Sequence, residues 1–143
     1  MRALLDVNVL IALLDTHHVH HRPATDWLEK HFDRGWASCP ITQNGCVRIF
    51  SQAGYPNRAP AQEVAVRLAE ACSHSAHEFW ADDISVMPPG ALDWTRLVAA
   101  RHLTDAYLLA LAVHRDGRFV SLDRNIPIAA VTDAKARHLV VIE

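Results

Sequence analysis

Hydrophobic positions along this chain fall into short unbroken runs and into longer stretches spaced by three and four residues. Ala3-Leu4-Leu5 is an apolar run stopped by Asp6, and Val9 to Leu14 continues with the density of a buried helix, the pattern of a strand, a turn and a helix. From His20 to Arg34 the apolar positions Ala24, Trp27, Leu28 and Phe32 recur at helical spacing; Pro23 is early enough for a first turn, and Gly35 closes the helix. Trp36 to Cys39 reads as a second strand, and Pro40 to Gln52 as a third helix closing near Gly54. After a loop over Tyr55 to Pro60, the residues Ala61, Val64, Ala65, Leu68, Ala69 and Cys72 trace one face of a fourth helix. Phe79-Trp80-Ala81 reads as a third strand, Pro88-Pro89-Gly90 as a break, and Asp93 to Ala100 as a short helix with Asp93 as N-cap. Thr104 is expected to cap a helix over Asp105 to Arg115, apolar nearly all round and ending at Asp116-Gly117. Phe119 to Leu122 and His138 to Ile142 complete the strands. Strands alternating with helices predict an α/β fold, a parallel β-sheet flanked by helices on both faces, with residues 1–143 forming a single domain.

Composition narrows the function classes. With 50% hydrophobic residues, 21% charged, five glycines and seven prolines, the chain is neither disordered nor collagen-like. A net charge of -2 excludes a polybasic wrapper of nucleic acid, so any such contact comes from a local patch. Arginine dominates the 14 cations; it suits bidentate phosphate recognition, although a bias in genomic base composition produces the same excess. Cys39, Cys46 and Cys72 are odd in number and never spaced C-x-x-C, which reads as core thiols. The apolar run Val7 to Leu14 lies between Asp6 and Asp15 and is too short to span a bilayer, so no membrane association and a reducing, cytoplasmic location are expected. The glycines cannot form G-x-G-x-x-G or a P-loop.

Chemistry concentrates in the acids. Open parallel sheets bind ligands beyond the carboxyl ends of their strands, near the topological switch point. Asp6 and Asp123 each close a predicted strand, and Asp105 opens the central helix, where the helix dipole favours a carboxylate. Convergence of the three would call for a cation, and oxygen ligands suit Mg²⁺ or Mn²⁺, which activate water for attack on a phosphodiester. Each acid also has a purely structural reading, as a turn residue or a helix cap.

The stretches Leu4-Leu5-Asp6-Val7-Asn8-Val9-Leu10, Ile41-Thr42-Gln43-Asn44-Gly45-Cys46-Val47-Arg48, Thr104-Asp105-Ala106-Tyr107-Leu108 and Ser121-Leu122-Asp123-Arg124-Asn125 resemble the PIN domain in its VapC toxin form. Order and spacing agree over essentially the whole chain, including a His-x-His-His stretch before the second helix. The resemblance implies a Mg²⁺-dependent endoribonuclease, with Mn²⁺ as substitute, acting as the toxin of a VapBC pair. It implies Asp6, Asp105 and Asp123 as catalytic acids, Asp6 and Asp105 as direct metal ligands, and Asp123 as a ligand through water or an orienter of the attacking water. Asn8 and Thr104 would hydrogen-bond around them. Many family members carry Glu in a Thr-Glu-x-x-x-x-Arg segment where this chain has Gln43, a neutral amide that can ligate or hydrogen-bond, which favours one metal over two. Arg48 would contact RNA phosphate, a nearby acid or the partner. The implied partners are RNA, a cognate VapB-type antitoxin and a second copy of the chain, as a homodimer or a hetero-oligomer. Trp27, Ile49, Phe50, Val64 and Leu68 are more large side chains than one face of a small sheet must absorb, so either all pack in the core or part of the set forms an apolar groove that receives the antitoxin.

Three rivals remain at this level. His17, His18, His20 and His21 permit a metal-independent histidine ribonuclease, or a Zn²⁺ site. A phosphatase-like site would place a nucleophilic Asp after the first strand, but Asp6-Val7-Asn8 has Asn where a second acid is wanted. A non-catalytic α/β binding module would leave all three acids structural.

Overall fold

The computed structural model describes residues 1–143. Its five strands are β1 (Ala3–Leu5), β2 (Trp36–Ser38), β3 (His77–Phe79), β4 (Arg118–Ser121) and β5 (Leu139–Val141). Five α-helices accompany them: α1 (Val7–Leu14), α2 (His21–His31), α3 (Pro40–Ser51), α4 (Ala61–Cys72) and α5 (Leu103–His114). All strand pairs are parallel and the order is β3-β2-β1-β4-β5. From β1 the chain builds outward through β2 and β3, then returns to the other side of β1 for β4 and β5. The switch point therefore lies between β1 and β4, where a parallel sheet opens a crevice at its carboxyl edge.

Alternation along the strands divides the core in two. Leu5, Trp36 and Val120 face α1 to α4 and pack with Leu10, Phe50, Val64 and Leu68. Leu4, Ala37 and Phe119 point the other way, against Leu108, Leu109 and Leu111 of α5 together with Trp80 and Val131. Both faces are covered at the centre of the sheet, so β1 reads as a continuous apolar run. α5 buries Ala106 and Leu108 through Ala112, as its nearly uniform apolarity predicts.

Three local expectations need correction. The third strand is His77–Phe79, two residues earlier than the aromatic run suggests, and pairs in the register Trp36↔His77 to Ser38↔Phe79. It is an edge strand whose Phe79 is 53% exposed, while the apolar signal belongs to Trp80, which is buried beyond the strand end. The helix expected over Asp93 to Ala100 is two 3₁₀ turns, Trp94–Arg96 and Ala100–His102. Asp93 does cap, accepting from the backbone N–H and hydroxyl of Thr95, but Val98 is 97% exposed and no buried stripe propagates a helix there. Thr104 caps nothing: α5 starts at Leu103 with His102 in the cap position and no side-chain bond.

The end of α5 uses its glycine for space. Asp116 adopts the left-handed conformation, at φ 54°, and Gly117 donates to the Ala112 carbonyl at 2.8 Å. A Cβ on Gly117 would lie 2.7 Å from the Arg2 carbonyl oxygen and 2.6 Å from the Trp80 ring. Gly117→Ala should therefore cost about 2 kcal/mol as overpacking against backbone. Gly54→Ala, with nothing within 4 Å of the new methyl, should cost less than about 0.5 kcal/mol. Thermal melts of both variants check this; equal melting points would show that the β1–β4 edge can yield.

Candidate active site

Asp6 follows the last residue of β1. Its backbone N–H donates to the Val120 carbonyl of β4 at 2.9 Å, which continues the sheet bonding and sets the residue directly over the switch point. Its side chain caps α1, Oδ1 accepting from the Val7 N–H at 2.7 Å. Oδ2 accepts from the Ser121 hydroxyl at 2.6 Å. That hydroxyl in turn accepts from Asn8 Nδ2 at 3.2 Å and from the Asp123 N–H at 3.0 Å. Asn8 Oδ1 accepts from the Leu122 N–H at 3.1 Å, and Asp123 Oδ1 from the Asn125 N–H at 2.8 Å. The carboxyl ends of β1 and β4 are thus stitched together by side chains, with the fully buried Ser121 at the centre.

Asp105 arrives from the first turn of α5 and lines one cavity of about 350 Å³ with Asp6, Asn8 and Asp123. No Lys or Arg forms an ion pair with any of the three acids. The electrostatic consequence falls hardest on Asp6: burial foremost, with the charges of Asp105 and Asp123, pushes its pKa up to about 6 against the lowering effect of the Ser121 and Val7 bonds. Burial and the Asp123 charge also raise Asp105 above the ordinary carboxylate range. Uncompensated carboxylates of this kind fit a hard divalent cation held by oxygen. The side chains do not yet share one coordination sphere: no group of three acids, histidines or cysteines stands at chelating separations. Asp105, which accepts no hydrogen bond, is the least committed of the acids.

The other expected residues divide. Asn8 hydrogen-bonds within the network. Thr104 is exposed and lines an adjoining cavity of about 540 Å³ with Asp6 and Asp105, yet its hydroxyl bonds to none of the acids. Gln43 Nε2 donates to the Ser38 hydroxyl at 2.9 Å, and Gln43 lines neither cavity that holds the acids. Asn44, one residue on, lines the cavity with Asp6 and Asp105 instead. The cause is helical phase, because α3 turns Gln43 toward β2 and α4 while Asn44 and Arg48 share the face toward the acids. Arg48 is exposed and stands where that cavity meets a groove of about 950 Å³ between α3 and α4.

That groove also departs from expectation. Phe50, Val64 and Leu68 are buried in the core, and Trp27 stacks on His31 beneath the Arg118 guanidinium. The groove is lined instead by Val47, Ala65, Ala69 and Cys72, with Leu68 alone of the expected set. Sequence reasoning missed Ser121, which reads as an ordinary strand residue. It also missed the buried Asp15, whose carboxylate accepts from Tyr55, Asn57 and the His17 N–H and so ties the loop after α1 to the loop after α3. Of the four clustered histidines, His18 alone lines the acid cavity.

The PIN domain family profile matches residues 3–132. This chain belongs to the PIN-domain family. Its relatives in Mycobacterium tuberculosis include Ribonuclease VapC44, 49% identical over 142 residues that cover 99% of this chain and 100% of the relative. Ribonuclease VapC39 is 39% identical over 99% of both chains, and Ribonuclease VapC29 42% identical over 88% of this chain and 89% of its own. This PIN domain is accordingly a member of the VapC ribonucleases. The profile ends before β5, which the structure nonetheless pairs with β4 from Phe119↔Leu139 to Ser121↔Val141.

Two predictions follow from the charges. Because the folded pKa of Asp6 lies above the ordinary 3.8, its ionisation penalises the folded state, and the penalty grows as pH rises from about 4 through about 6. The stability of Asp6→Asn relative to wild type, measured by denaturation without divalent cations, should therefore rise with pH by up to about 3 kcal/mol between pH 4 and 7. A difference independent of pH would mean that Asp6 is solvated. Second, Gln43→Glu should leave Mn²⁺ affinity unchanged in calorimetric titration, whereas Asn44→Asp should tighten it severalfold. Tightening by Gln43→Glu alone would reverse this placement.

Proposed function

We propose that this chain is a Mg²⁺-dependent endoribonuclease and the toxin component of a VapBC type II pair. The observation that carries the reading is the convergence of Asp6, Asp105 and Asp123 on one cavity at the β1–β4 switch point, with no Lys or Arg in an ion pair with any of them. Asp6 and Asp105 would hold the cation, Mg²⁺ or in its place Mn²⁺, and Asp123 would bind it through water or orient the attacking water. When bound, the cation supplies the positive charge that makes water a nucleophile toward a phosphodiester. Ser121 and Asn8 keep Asp6 and Asp123 in position, so their geometry is set before substrate arrives. Arg48, at the cavity rim, offers a guanidinium to RNA phosphate or to the partner.

A metal-independent histidine mechanism needs two imidazoles at the substrate, one to take and one to give a proton. Only His18 lines the cavity; His17 and His20 are exposed, and His21 bonds the Ala12 carbonyl through Nδ1 at 2.7 Å. That arrangement favours the carboxylate reading, and the ribonuclease relatives favour it over a non-catalytic binding module.

The reading makes the chain a cytoplasmic toxin restrained by a cognate VapB-type antitoxin, within a homodimer or a toxin–antitoxin hetero-oligomer, and treats residues 1–143 as one PIN domain. No helix is long and apolar enough to cross a membrane. The groove between α3 and α4 offers apolar anchorage for a flexible antitoxin segment. A basic residue on that segment would then reach the acids past Asn44 and Arg48.

Purified chain freed of antitoxin should cleave total RNA with Mg²⁺ and not with EDTA, leaving 5′-phosphate and 3′-hydroxyl ends. Asp6→Asn, Asp105→Asn and Asp123→Asn should each lower the rate at least about a hundredfold while the circular dichroism of the fold persists. Cyclic 2′,3′-phosphate ends, or full activity in EDTA, would overturn the proposal.

A further inference from the structure

The cluster of histidines before α2 is not absorbed by the carboxylate mechanism, yet one of its members faces the reaction site. His18 lines the cavity of Asp6, Asp105 and Asp123. Its Nδ1 accepts the backbone N–H of His20 at 2.9 Å, and an accepting Nδ1 places the ring proton of a neutral imidazole on Nε2. The ring is then left with one free polar group, Nε2–H. Its backbone is held as well: His18 N donates to the Asp15 carbonyl at 3.0 Å, and the Asp15 carboxylate is anchored by Tyr55 and Asn57. Tyr55 lines the same cavity, so the loop that carries His18 is part of the cavity wall.

We propose that His18 is a substrate-contacting residue of this site, presenting its Nε2–H to a phosphate oxygen of the RNA strand. The inference rests on the ribonuclease reading and adds a residue to it. A neutral donor suits this position. An imidazolium would pair with the carboxylates and compete with the cation, whereas an uncharged N–H gives direction to an anionic phosphate oxygen and leaves the acids free. Burial, aided by the nearby His20 and His21 and opposed by Asp15, lowers the pKa of His18, a shift in the direction of that neutral form.

The test uses the different reach of two amides. In His18→Gln the side-chain nitrogen extends to the place of Nε2; in His18→Asn the side-chain oxygen takes the place of Nδ1 and preserves the bond to His20. Steady-state cleavage of RNA in Mg²⁺ should show KM raised about tenfold in His18→Asn and His18→Ala with a smaller change in kcat, and restored to within about threefold of wild type in His18→Gln. Anisotropy of a fluorescein-labelled oligoribonucleotide of mixed sequence, measured in an Asp6→Asn background below each variant's melting point, should weaken and recover in the same order. The reverse order, with His18→Asn normal and His18→Gln impaired, would assign His18 to the loop bond and overturn the proposal, as would unchanged KM and binding throughout. Absence of cleavage by the wild-type chain would overturn the ribonuclease reading separately, and the anisotropy series would still decide whether His18 meets RNA.

Discussion

The hydroxyl of Ser121 is the junction on which the site depends. It donates to Asp6 and accepts from Asn8 and from the backbone of Asp123, so a single buried oxygen joins the ends of two strands that are 115 residues apart in the case of Asp6. Buried hydroxyls are stable only when satisfied, and this one uses its donor and both acceptor positions. Its geometry leaves Asp6 ionisable despite deep burial and fixes where Asp123 starts. The third acid comes from an element that the network does not touch. α5 is anchored by its apolar body against Leu4 and Phe119, and this packing is what carries Asp105 to the same cavity.

Asp15 and Asp6 show how environment separates two residues of identical chemistry. They are 3% and 6% exposed, at opposite ends of α1. Burial raises both, but at Asp15 hydrogen bonds from Tyr55, Asn57 and the His17 N–H outweigh it and hold the pKa below the ordinary value. At Asp6 two bonds are set against burial and two neighbouring carboxylates, and the pKa rises. The first acid is a structural knot fully compensated by the protein. The second carries a deficit that either protonation or a nearby positive charge relieves, and perturbed carboxylates of this kind cluster at functional sites.

The groove between α3 and α4 joins the cavity of about 540 Å³ that Asp6 and Asp105 also line, through Pro40, Asn44 and Arg48, which line both. On the proposed reading, RNA and antitoxin would therefore approach the acids along connected surfaces. An exposed Arg at that junction can meet the phosphate of the one or an acidic group of the other.

Much of this was legible in the sequence. Ala3-Leu4-Leu5-Asp6 specified a buried strand ending in an acid, the uniform apolarity of Leu108 to Val113 specified a helix packed against the sheet, and the α/β class followed from the alternation of such segments. The recurring motifs around Asp6, Asp105 and Asp123 pointed to the family, because strand-end and helix-start positions are set by local patterns. Other features depended on contacts between distant parts of the chain. The role of Ser121 exists only once β1 and β4 lie side by side, and whether Gln43 or Asn44 meets the acids depends on the rotation of α3 about its axis. That rotation is chosen by which side chains fit against β2 and α4, as in the bond from Gln43 to Ser38. His18 likewise differs from its neighbouring histidines in lining the acid cavity, a placement that exists only once its loop is folded against Tyr55 and the ends of β1 and β4. Periodicity along a chain determines which elements form and which of their faces is apolar, whereas the phase of a helix and the partners of a buried hydroxyl are decided by tertiary packing.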